Sequence, residues 1–309
     1  MTLHWQVGLT TDKGPVRERN EDFLLFRVKE NRKGKQIAIA VVADGMGAYK
    51  VGDVASYIAI DAIQKWWEKR SGKLLKTENP IEIAKIELTE LIYRVNKELI
   101  HNAKRDKVKL GTTISIILFF EGNYFICHIG DTRIYRLVGI NSGFQNFFRK
   151  QQTIDMEDEE MLHQTISLEE EPVIFQLTTD HSWVQDQINK GLLSVEAAEH
   201  HPKKNVLLQC LGINQNINPY FHVGTYDPND IFILCTDGFY SVFPEQQLIE
   251  TIKALEQKYT NLQPVTDEMV KMAESLGTTD NITVLLIRNM YAPSENLYKR
   301  RGLKALFFK

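Results

Sequence analysis

The chain is poor in the features that mark secreted and membrane-spanning proteins. Its 309 residues contain only three cysteines, Cys127, Cys210 and Cys235, which lie among apolar neighbours. Three thiols cannot build a paired disulfide framework, so we expect a reducing, cytoplasmic setting. The apolar runs are all much shorter than the roughly 20 residues that a membrane-spanning helix needs. We therefore expect no transmembrane segment, and the first eight residues lack the pattern of a secretion signal.

An excess of positive charge is missing as well. Lys and Arg number 37 against 40 Asp and Glu, which gives a net charge of −3 at pH 7. Binding to nucleic acid generally needs a basic surface that displaces counterions from phosphates, so we expect no nucleic-acid partner. The content of 43% hydrophobic and 25% charged residues is typical of globular domains. A chain of this length can build a sizeable core without disulfides.

Apolar periodicity predicts strands and helices along most of the chain. The predicted strands span residues 6–10, 22–28, 36–43, 112–120, 124–129, 133–138, 173–178, 222–226, 231–235 and 282–288. The predicted helices span residues 52–70, 81–105, 183–190, 245–258 and 264–276. Strands in blocks and helices in pairs, without regular β-α-β alternation, predict an α+β sandwich. In the first helix, we expect Trp66 to turn one way and Trp67 the other, with one ring in the core and one in solvent.

Two segments differ in composition from the rest. Residues 139–172 form an insertion whose second half is acidic. Because like charges repel and little apolar surface is available, we expect a solvated loop there. Residues 291–309 form a tail that combines basic and apolar side chains. This composition favours a frayed terminus over contact with an anionic membrane or a partner.

Aspartates recur at the ends of apolar strands. Asp44, Asp131 and Asp237 each follow such a strand, and Asp280 lies just before the last one. Taken singly, each is more often part of a turn than a ligand. A carboxylate at the end of an apolar strand is partly desolvated, however, and several together need positive charge nearby. Because oxygen ligands select hard cations, the set of four favours a site for Mg²⁺ or Mn²⁺.

A second polar cluster lies near the amino terminus, where Arg17, Asn20, Glu21 and Asp22 precede a predicted strand. An arginine can bind two phosphate oxygens at once, a geometry that lysine does not reproduce. On its own, this cluster is equally typical of surface salt bridges.

Taken in order, the motifs resemble those of the metal-dependent protein phosphatases of type 2C (the PPM family), in particular the bacterial serine/threonine branch. The resemblance covers roughly residues 5 to 288. The matching motifs are Arg17-x-x-Asn20-Glu21-Asp22, Ala43-Asp44-Gly45-Met46-Gly47, Gly52-x-x-Ala55-Ser56, Gly111-Thr112-Thr113, Gly130-Asp131-Thr132-Arg133, Leu177-Thr178-Thr179-Asp180-His181-Ser182, Cys235-Thr236-Asp237-Gly238 and Asp280-Asn281-Ile282-Thr283.

The resemblance implies an α+β fold, namely a β-sandwich of two antiparallel sheets flanked by pairs of helices in α-β-β-α layers. It also implies two bound ions, Mn²⁺ or Mg²⁺. Asp44 would bridge them, with the Gly45 carbonyl also coordinating. Asp237 and Asp280 would complete the first metal site, and Glu21 would serve the second.

Further roles follow from the same resemblance. Asp131 would contribute to a third, weaker metal site. Asp22 and Asn281 would lie behind the ligands and support them. Arg17 would bind the substrate phosphate and would share the catalytic role with Asp44 and Asp237. Residues 182–208 would form a flap beside the active site, within a phosphatase domain of residues 1–290.

The implied activity is that of a protein-serine/threonine phosphatase. A hydroxide shared by two cations would attack phosphorus without a covalent enzyme intermediate. We expect phosphorylated proteins as substrates, a serine/threonine kinase as the opposing enzyme, and a monomer. A pseudophosphatase that only binds phosphoproteins is the alternative outside enzymes.

A different phosphatase chemistry is suggested by the spacing Cys127-x5-Arg133, which matches enzymes that use a thiolate nucleophile. Two features argue against it. Asp131 would repel the bound phosphate, and the residues after Arg133 alternate as in a strand, whereas a helix start is needed to lower the thiol pKa. Cys127 is therefore expected to be a small buried hydrophobic residue.

Overall fold

A computed structural model describes residues 3–47, 52–140 and 171–291. The predictions for most of the acidic insertion and for all but the first residue of the tail fall on residues 141–170 and 292–309, which lie outside the described residues. The single phosphatase domain over residues 1–290 stays a prediction.

The described strands confirm most of the predicted β-segments. In chain order they are β1 Leu3–Asp12, β2 Asp22–Glu30, β3 Gln36–Gly47, β4 Leu110–Thr112, β5 Ile114–Phe120, β6 Asn123–Ile129, β7 Arg133–Val138, β8 Val173–Gln176, β9 Tyr220–Thr225, β10 Ile231–Cys235 and β11 Ile282–Tyr291.

The described helices include all five that were predicted and two short ones that were not. They are α1 Gly52–Leu74, α2 Pro80–Asp106, α3 Trp183–Asn189, α4 Val195–Glu199, α5 Asp237–Tyr240, α6 Glu245–Lys258 and α7 Leu262–Ser275. Helices α4 and α5 are only five and four residues long, so neither carries enough turns to show a 3.6-residue period. None of the described helices has the length and apolar character that crossing a bilayer requires.

The strands form two antiparallel sheets. One has the order β1-β11-β10-β7-β8, and the other has the order β2-β3-β5-β6-β9 with β4 attached to β3. Neighbouring strands within each sheet pair antiparallel. Side chains from both sheets meet in a buried layer, where the rings of Phe119 and Phe232 lie 4.8 Å apart.

A helix pair covers the outer face of each sheet. Ile63 of α1 and Leu88 of α2 are fully buried against the sheet that contains β3. Leu248 of α6 and Met269 of α7 are buried against the sheet that contains β10. Burying one apolar stripe of each helix is the main force that holds this layer in place. The predicted α+β sandwich with α-β-β-α layers is thus confirmed.

The prediction for the tryptophan pair is wrong. Both Trp66 and Trp67 are buried. The reason is that α2 packs beside α1 and covers the flank that was expected to face solvent. The indole nitrogen of Trp66 donates a hydrogen bond to Glu87 Oε2 of α2 at 2.9 Å.

The end of β3 also differs from the prediction. The strand continues through Asp44 to Gly47, so Asp44 lies within a strand rather than after one. The extension is possible because the predicted strand at 112–120 is divided, and its first part, β4, pairs with Gly45 and Met46. At Asp44, β3 therefore lies between β2 on one side and the β4–β5 segment on the other.

Candidate active site

The predicted site residues meet at one end of the sandwich, around Asp44. In the β2–β3 pair, Asp22 lies directly opposite Asp44. The Asp44 backbone is fixed by β4 and the turn after it: its N–H donates to Thr113 Oγ1 at 2.9 Å, and its carbonyl accepts from Thr112 Oγ1 and Thr113 N–H, both at 2.9 Å. The position of this carboxylate thus depends on strand pairing rather than on a loose turn.

Asp22 connects the two sheets. Its Oδ2 accepts hydrogen bonds from the hydroxyls of Thr236 at 2.9 Å and Thr283 at 2.7 Å. Thr236 is the last residue before Asp237, and Thr283 lies just after Asp280 and Asn281 in the chain. Asp22 therefore holds the segments that carry Asp237 and Asp280 close to the β2–β3 pair, in which Asp44 lies.

Asn281 attaches the amino-terminal loop to this end. Its Oδ1 accepts the N–H of Glu21 at 2.9 Å, and its Nδ2 donates to the carbonyls of Lys13 at 2.9 Å and Arg19 at 2.8 Å. One amide side chain thereby fixes both ends of the loop that carries Arg17. This contact explains how residues more than 260 positions apart share a site.

Glycines allow the backbones around Glu21 to come close. Glu21 Oε1 accepts the N–H of Gly52 at 3.0 Å, and the Glu21 carbonyl accepts the N–H of Gly45 at 3.1 Å. A Cβ at Gly45 would lie 2.2 Å from the Gly52 carbonyl oxygen, which no side chain can tolerate. A glycine is therefore required beside Asp44.

Arg17 makes an ion pair with Asp280, with Nη2 and Oδ2 2.5 Å apart. The Arg17 side chain is 48% exposed, so its guanidinium faces solvent at the mouth of the site. Burial by itself lowers the pKa of Arg17, but the Asp280 carboxylate outweighs it and the pKa is raised. Arg17 thus stays charged, in a place where an incoming anion can reach it.

The buried carboxylates raise one another's pKa. Burial, followed by the charges of Asp22, Asp237, Asp131 and Asp280, raises the pKa of Asp44 well above its ordinary value. Burial and the charge of Asp237 raise the pKa of Asp131 to about 8. Burial and the charge of Asp280 raise the pKa of Asp237 to about 6, and burial raises that of Asp22 to about 7. These acids are close enough to repel one another and lack enough positive charge to compensate.

The turn that carries Asp131 is fastened to the start of the predicted flap. His181 donates its backbone N–H to the Gly130 carbonyl at 2.7 Å and accepts the Gly130 N–H at Nδ1 at 3.1 Å. Gly130 has φ of +116°, and a Cβ there would lie 2.5 Å from Thr113. The His181 carbonyl also accepts the N–H of Leu208, so one residue contacts both the metal-site turn and the end of the 182–208 segment.

Arg133 follows the turn that carries Asp131 and is the first residue of β7. Its guanidinium pairs with Asp180 at 2.8 Å and lies over the ring of Tyr240 at 3.9 Å. Tyr240 ends the short helix α5, which begins at Asp237. Sequence reasoning did not assign roles to Arg133, Asp180 or the two threonines that hold Asp22. The signal was present, since all four lie in the motifs that carry the family resemblance.

The thiolate alternative does not fit the structure. Cys127 is fully buried, and burial raises the pKa of its thiol to about 12, so it stays protonated at neutral pH. Arg133 begins strand β7 and not a helix. A protonated, inaccessible sulfur cannot attack a phosphate ester. The prediction that Cys127 is a buried hydrophobic residue is confirmed.

The donor set fits a hard divalent cation, because the predicted ligands offer only carboxylate and carbonyl oxygens and the buried acids need positive charge. Among the described residues, no group of three or more His, Cys, Asp or Glu side chains is already arranged to hold an ion. The Asp280 carboxylate pairs with Arg17, and that of Glu21 accepts the Gly52 N–H. Each carboxylate would have to offer an ion its remaining lone pairs or give up its present partner, and the ligand assignments stay predictions.

Comparison with known proteins decides the family. The family model described as Protein phosphatase 2C matches residues 16–285, most of the chain. The chain belongs to the protein phosphatase 2C family. The resemblance stated from the motifs is thereby confirmed.

Individual relatives agree with this family. The serine/threonine phosphatase stp of Listeria innocua is 34% identical over 283 residues, which cover 91% of this chain and 94% of the relative. Among solved structures, the serine/threonine phosphatase Stp1 of Staphylococcus aureus superposes with a TM-score of 0.70 at 24% identity, covering 93% and 95% of the two chains. The catalytic domain of the phosphatase PstP in complex with two manganese ions superposes with a TM-score of 0.66 at 20% identity, covering 94% of this chain and all of that domain. These two structures share the fold of this chain.

Proposed function

We propose that the chain removes phosphate from phosphoserine and phosphothreonine in proteins, in a reaction that depends on Mn²⁺ or Mg²⁺. Membership in the protein phosphatase 2C family supports metal-dependent phosphatase activity. The observation that carries the proposal at the residue level is the raised pKa of Asp44, which burial and four neighbouring aspartates cause. Such a cluster stays ionised at neutral pH only when cations lie among the carboxylates.

The ligands follow from the residues at this end of the sandwich. Asp44 and the Gly45 carbonyl would contact two ions, with Asp237 and Asp280 on one side and Glu21 on the other. Asp131 and Asp237 would serve a third, weaker site. When bound, these divalent cations would stabilise negative charge on the phosphate oxygens and lower the pKa of an attacking water.

The chain's own residues would bind and orient the substrate. Arg17 is the exposed cation at the mouth, and its planar guanidinium suits two phosphate oxygens at once. Its present partner is Asp280, one of the predicted ligands. A cation on Asp280 would therefore free Arg17 for the phosphate, so that metal loading and substrate binding favour each other.

Supporting residues keep this arrangement in place. Asp22 accepts hydrogen bonds from Thr236 and Thr283 and so orients the segments on either side. Asn281 holds the loop that carries Arg17. Neither side chain needs to touch the substrate, and their role is to position the residues that do.

The cellular context is inferred from the reaction. A protein phosphatase opposes a protein kinase, so a serine/threonine kinase that modifies the same substrates is the expected counterpart. We further propose a cytoplasmic location, in keeping with three buried, unpaired thiols. A monomer is the simplest state for a site that is built from one chain.

The test is hydrolysis of a phosphothreonine peptide by the purified chain, measured as released phosphate with and without Mn²⁺. We expect turnover that depends on the metal and falls by about a thousandfold in Asp44→Asn, a loss of about 4 kcal/mol of transition-state stabilisation. The matched control is Asp227→Asn, which changes an exposed carboxylate in the loop before β10, whereas Asp237 follows the other end of that strand. Equal turnover by wild type and Asp44→Asn would contradict the assignment, and no turnover by wild type would favour the pseudophosphatase.

A further inference from the structure

A cleft of about 340 Å³ lies along β2, next to the proposed active site. Among the strands that the structure describes, only β3 pairs with β2, so β2 lies at an edge of its sheet. The cleft is lined by consecutive residues of β2, by the first turns of α1 and by Leu9 of β1. It therefore follows the open edge of one sheet between a helix and the second sheet.

One end of the cleft is lined by chain neighbours of residues in the proposed site. These are Phe23 and Tyr57, whose rings pack 5.7 Å apart. Phe23 follows Asp22, and Tyr57 follows Ser56, whose hydroxyl donates to the Glu21 carbonyl at 2.5 Å. A chain that leaves the active site along β2 would enter this cleft at once.

The edge of β2 offers backbone groups to such a chain. Residues 22, 24 and 26 point their N–H and C=O groups away from β3, since the Asp22 N–H donates to Asn20 Oδ1 and the Phe26 carbonyl accepts from the Arg27 guanidinium. Leu24 lies between them and has the same direction, because that direction alternates along a strand. Its N–H and C=O therefore face the cleft.

The neighbouring edge strand is closed in a way that β2 is not. On β1, the Leu9 N–H donates to Gln263 Oε1 at 3.1 Å, and the Leu9 carbonyl accepts from Gln263 Nε2 at 3.0 Å. One glutamine of α7 thus occupies both backbone groups of Leu9. A peptide can add to β2 at this point but not to β1.

The side chains around the cleft are apolar near the active site and polar further away. Tyr57 is 55% exposed and Leu9 is 38% exposed, so both rims present apolar surface to solvent. At the far end lie Arg27, Asp61 and Gln64. From Asp22 to Arg27 a strand rises by about 17 Å, at roughly 3.3 Å per residue, which fits about five residues of an extended peptide.

We propose that this cleft binds the segment of the phosphoprotein substrate that flanks the phosphorylated residue, as an extra strand on β2. Pairing with Leu24 supplies affinity that does not depend on sequence, and the apolar wall of Phe23, Tyr57 and Leu9 selects an apolar side chain within a few residues of the phosphate. This inference rests on the proposed function, since it assumes that phosphoproteins enter at Asp44.

The test compares two substrates on the same enzyme. We expect Tyr57→Lys to lower kcat/KM for a phosphothreonine peptide with apolar flanks about tenfold relative to kcat/KM for p-nitrophenyl phosphate, which has no flanks. The matched control is Ile86→Lys on α2, where the side chain is 60% exposed and outside the cleft. It should leave that ratio as in wild type. A ratio that is the same in all three proteins would overturn the proposal.

A binding measurement separates this inference from the proposed chemistry. Fluorescence anisotropy of the labelled phosphopeptide is recorded on an Asp44→Asn background, where turnover does not interfere. We expect the phosphopeptide to bind more weakly when Tyr57→Lys is added. With Tyr57 in place, we also expect weaker binding of peptides in which a single backbone amide of either flank is N-methylated, because the methyl group removes a hydrogen-bond donor that strand pairing needs. Undiminished affinity in both cases would overturn the cleft even if hydrolysis is metal-dependent. If these changes weaken binding but the wild-type chain shows no turnover, the cleft is supported and the catalytic proposal is contradicted.

Discussion

Asp22 lies directly opposite Asp44 in the β2–β3 pair, at one end of the sandwich, with Asp22 buried and Asp44 half-buried. Side chains of directly paired residues project from the same face, and like charges in that position destabilise a sheet. The hydroxyls of Thr236 and Thr283 partly stabilise Asp22, whereas Asp44 is surrounded by further aspartates. The strain at this end of the fold is therefore electrostatic, and a cation would relieve it.

The support of Asp22 by two threonines predicts different effects for two substitutions. Both Asp22→Ala and Asp22→Asn remove the charge that repels Asp44, but only Asp22→Asn keeps a side-chain oxygen that accepts hydrogen bonds from Thr236 and Thr283. We therefore expect the unfolding free energy of Asp22→Ala to be about 1–3 kcal/mol lower than that of Asp22→Asn. Urea denaturation of the metal-free proteins measures both values. A stability of Asp22→Ala equal to or above that of Asp22→Asn would show that these hydrogen bonds do not matter.

The ion pair between Arg17 and Asp280 predicts that one substitution has opposite effects on two ligands. In Arg17→Ala, the phosphate loses its bidentate partner, so we expect KM for a phosphopeptide to rise about tenfold or more. Asp280 loses a competitor for the cation at the same time, so the Mn²⁺ concentration for half-maximal activity should stay the same or fall. Steady-state kinetics over a Mn²⁺ series gives both numbers.

The control for this prediction is Arg19→Ala. Arg19 is a neighbouring exposed arginine that pairs with Asp53 and not with Asp280. It should change neither quantity by more than about twofold. An unchanged KM in Arg17→Ala would remove its role in binding phosphate.

The raised pKa of Asp131 predicts how stability depends on pH in the absence of metal. Burial raises its pKa to about 8 in the folded chain, whereas an unfolded Asp titrates near 4. Between these values the folded state holds a proton that the unfolded state has released, so stability falls as pH rises towards 8. One such group contributes a slope of at most about 1.4 kcal/mol per pH unit.

The measurement is the unfolding free energy in EDTA at several pH values from 6.5 to 8. Protonation of unfolded histidines adds a slope of the opposite sign near pH 6.5, above all for His128, a buried residue whose pKa burial lowers to about 3. This contribution is the same in wild type and in Asp131→Asn, so the comparison of the two proteins removes it. We expect Asp131→Asn to flatten the slope. A slope as steep as that of wild type would show that Asp131 is ionised in the folded metal-free protein.

The sequence predicted the architecture well, because strands buried on both faces and amphipathic helices leave strong periodic patterns. It missed what depends on contacts between distant elements. The burial of both Trp66 and Trp67 was missed because periodicity within α1 cannot show that α2 packs beside it, where Glu87 accepts a hydrogen bond from Trp66. The extension of β3 past Asp44 was missed because it depends on pairing with β4, which lies more than 60 residues away.

The sequence showed the predicted ligands of the site but not the contacts that support them. Asp44, Asp131 and Asp237 stood out because each follows an apolar strand, and the ordered motifs supplied the family. The supporting contacts could not be read in this way. The hydrogen bonds of Asp22 to Thr236 and Thr283 join residues more than 200 positions apart. Local pattern contains no information about such contacts.

Calorimetric titration of the metal-free chain with Mn²⁺ tests the central claim most directly, namely that cations hold the acids around Asp44 together. We predict binding of at least two ions, with release of protons at pH 7 because the raised pKa values keep part of the cluster protonated. In Asp44→Asn, the tight binding should be lost, while Asp227→Asn should keep it. Binding of Mn²⁺ by Asp44→Asn with the stoichiometry and affinity of wild type would contradict the account.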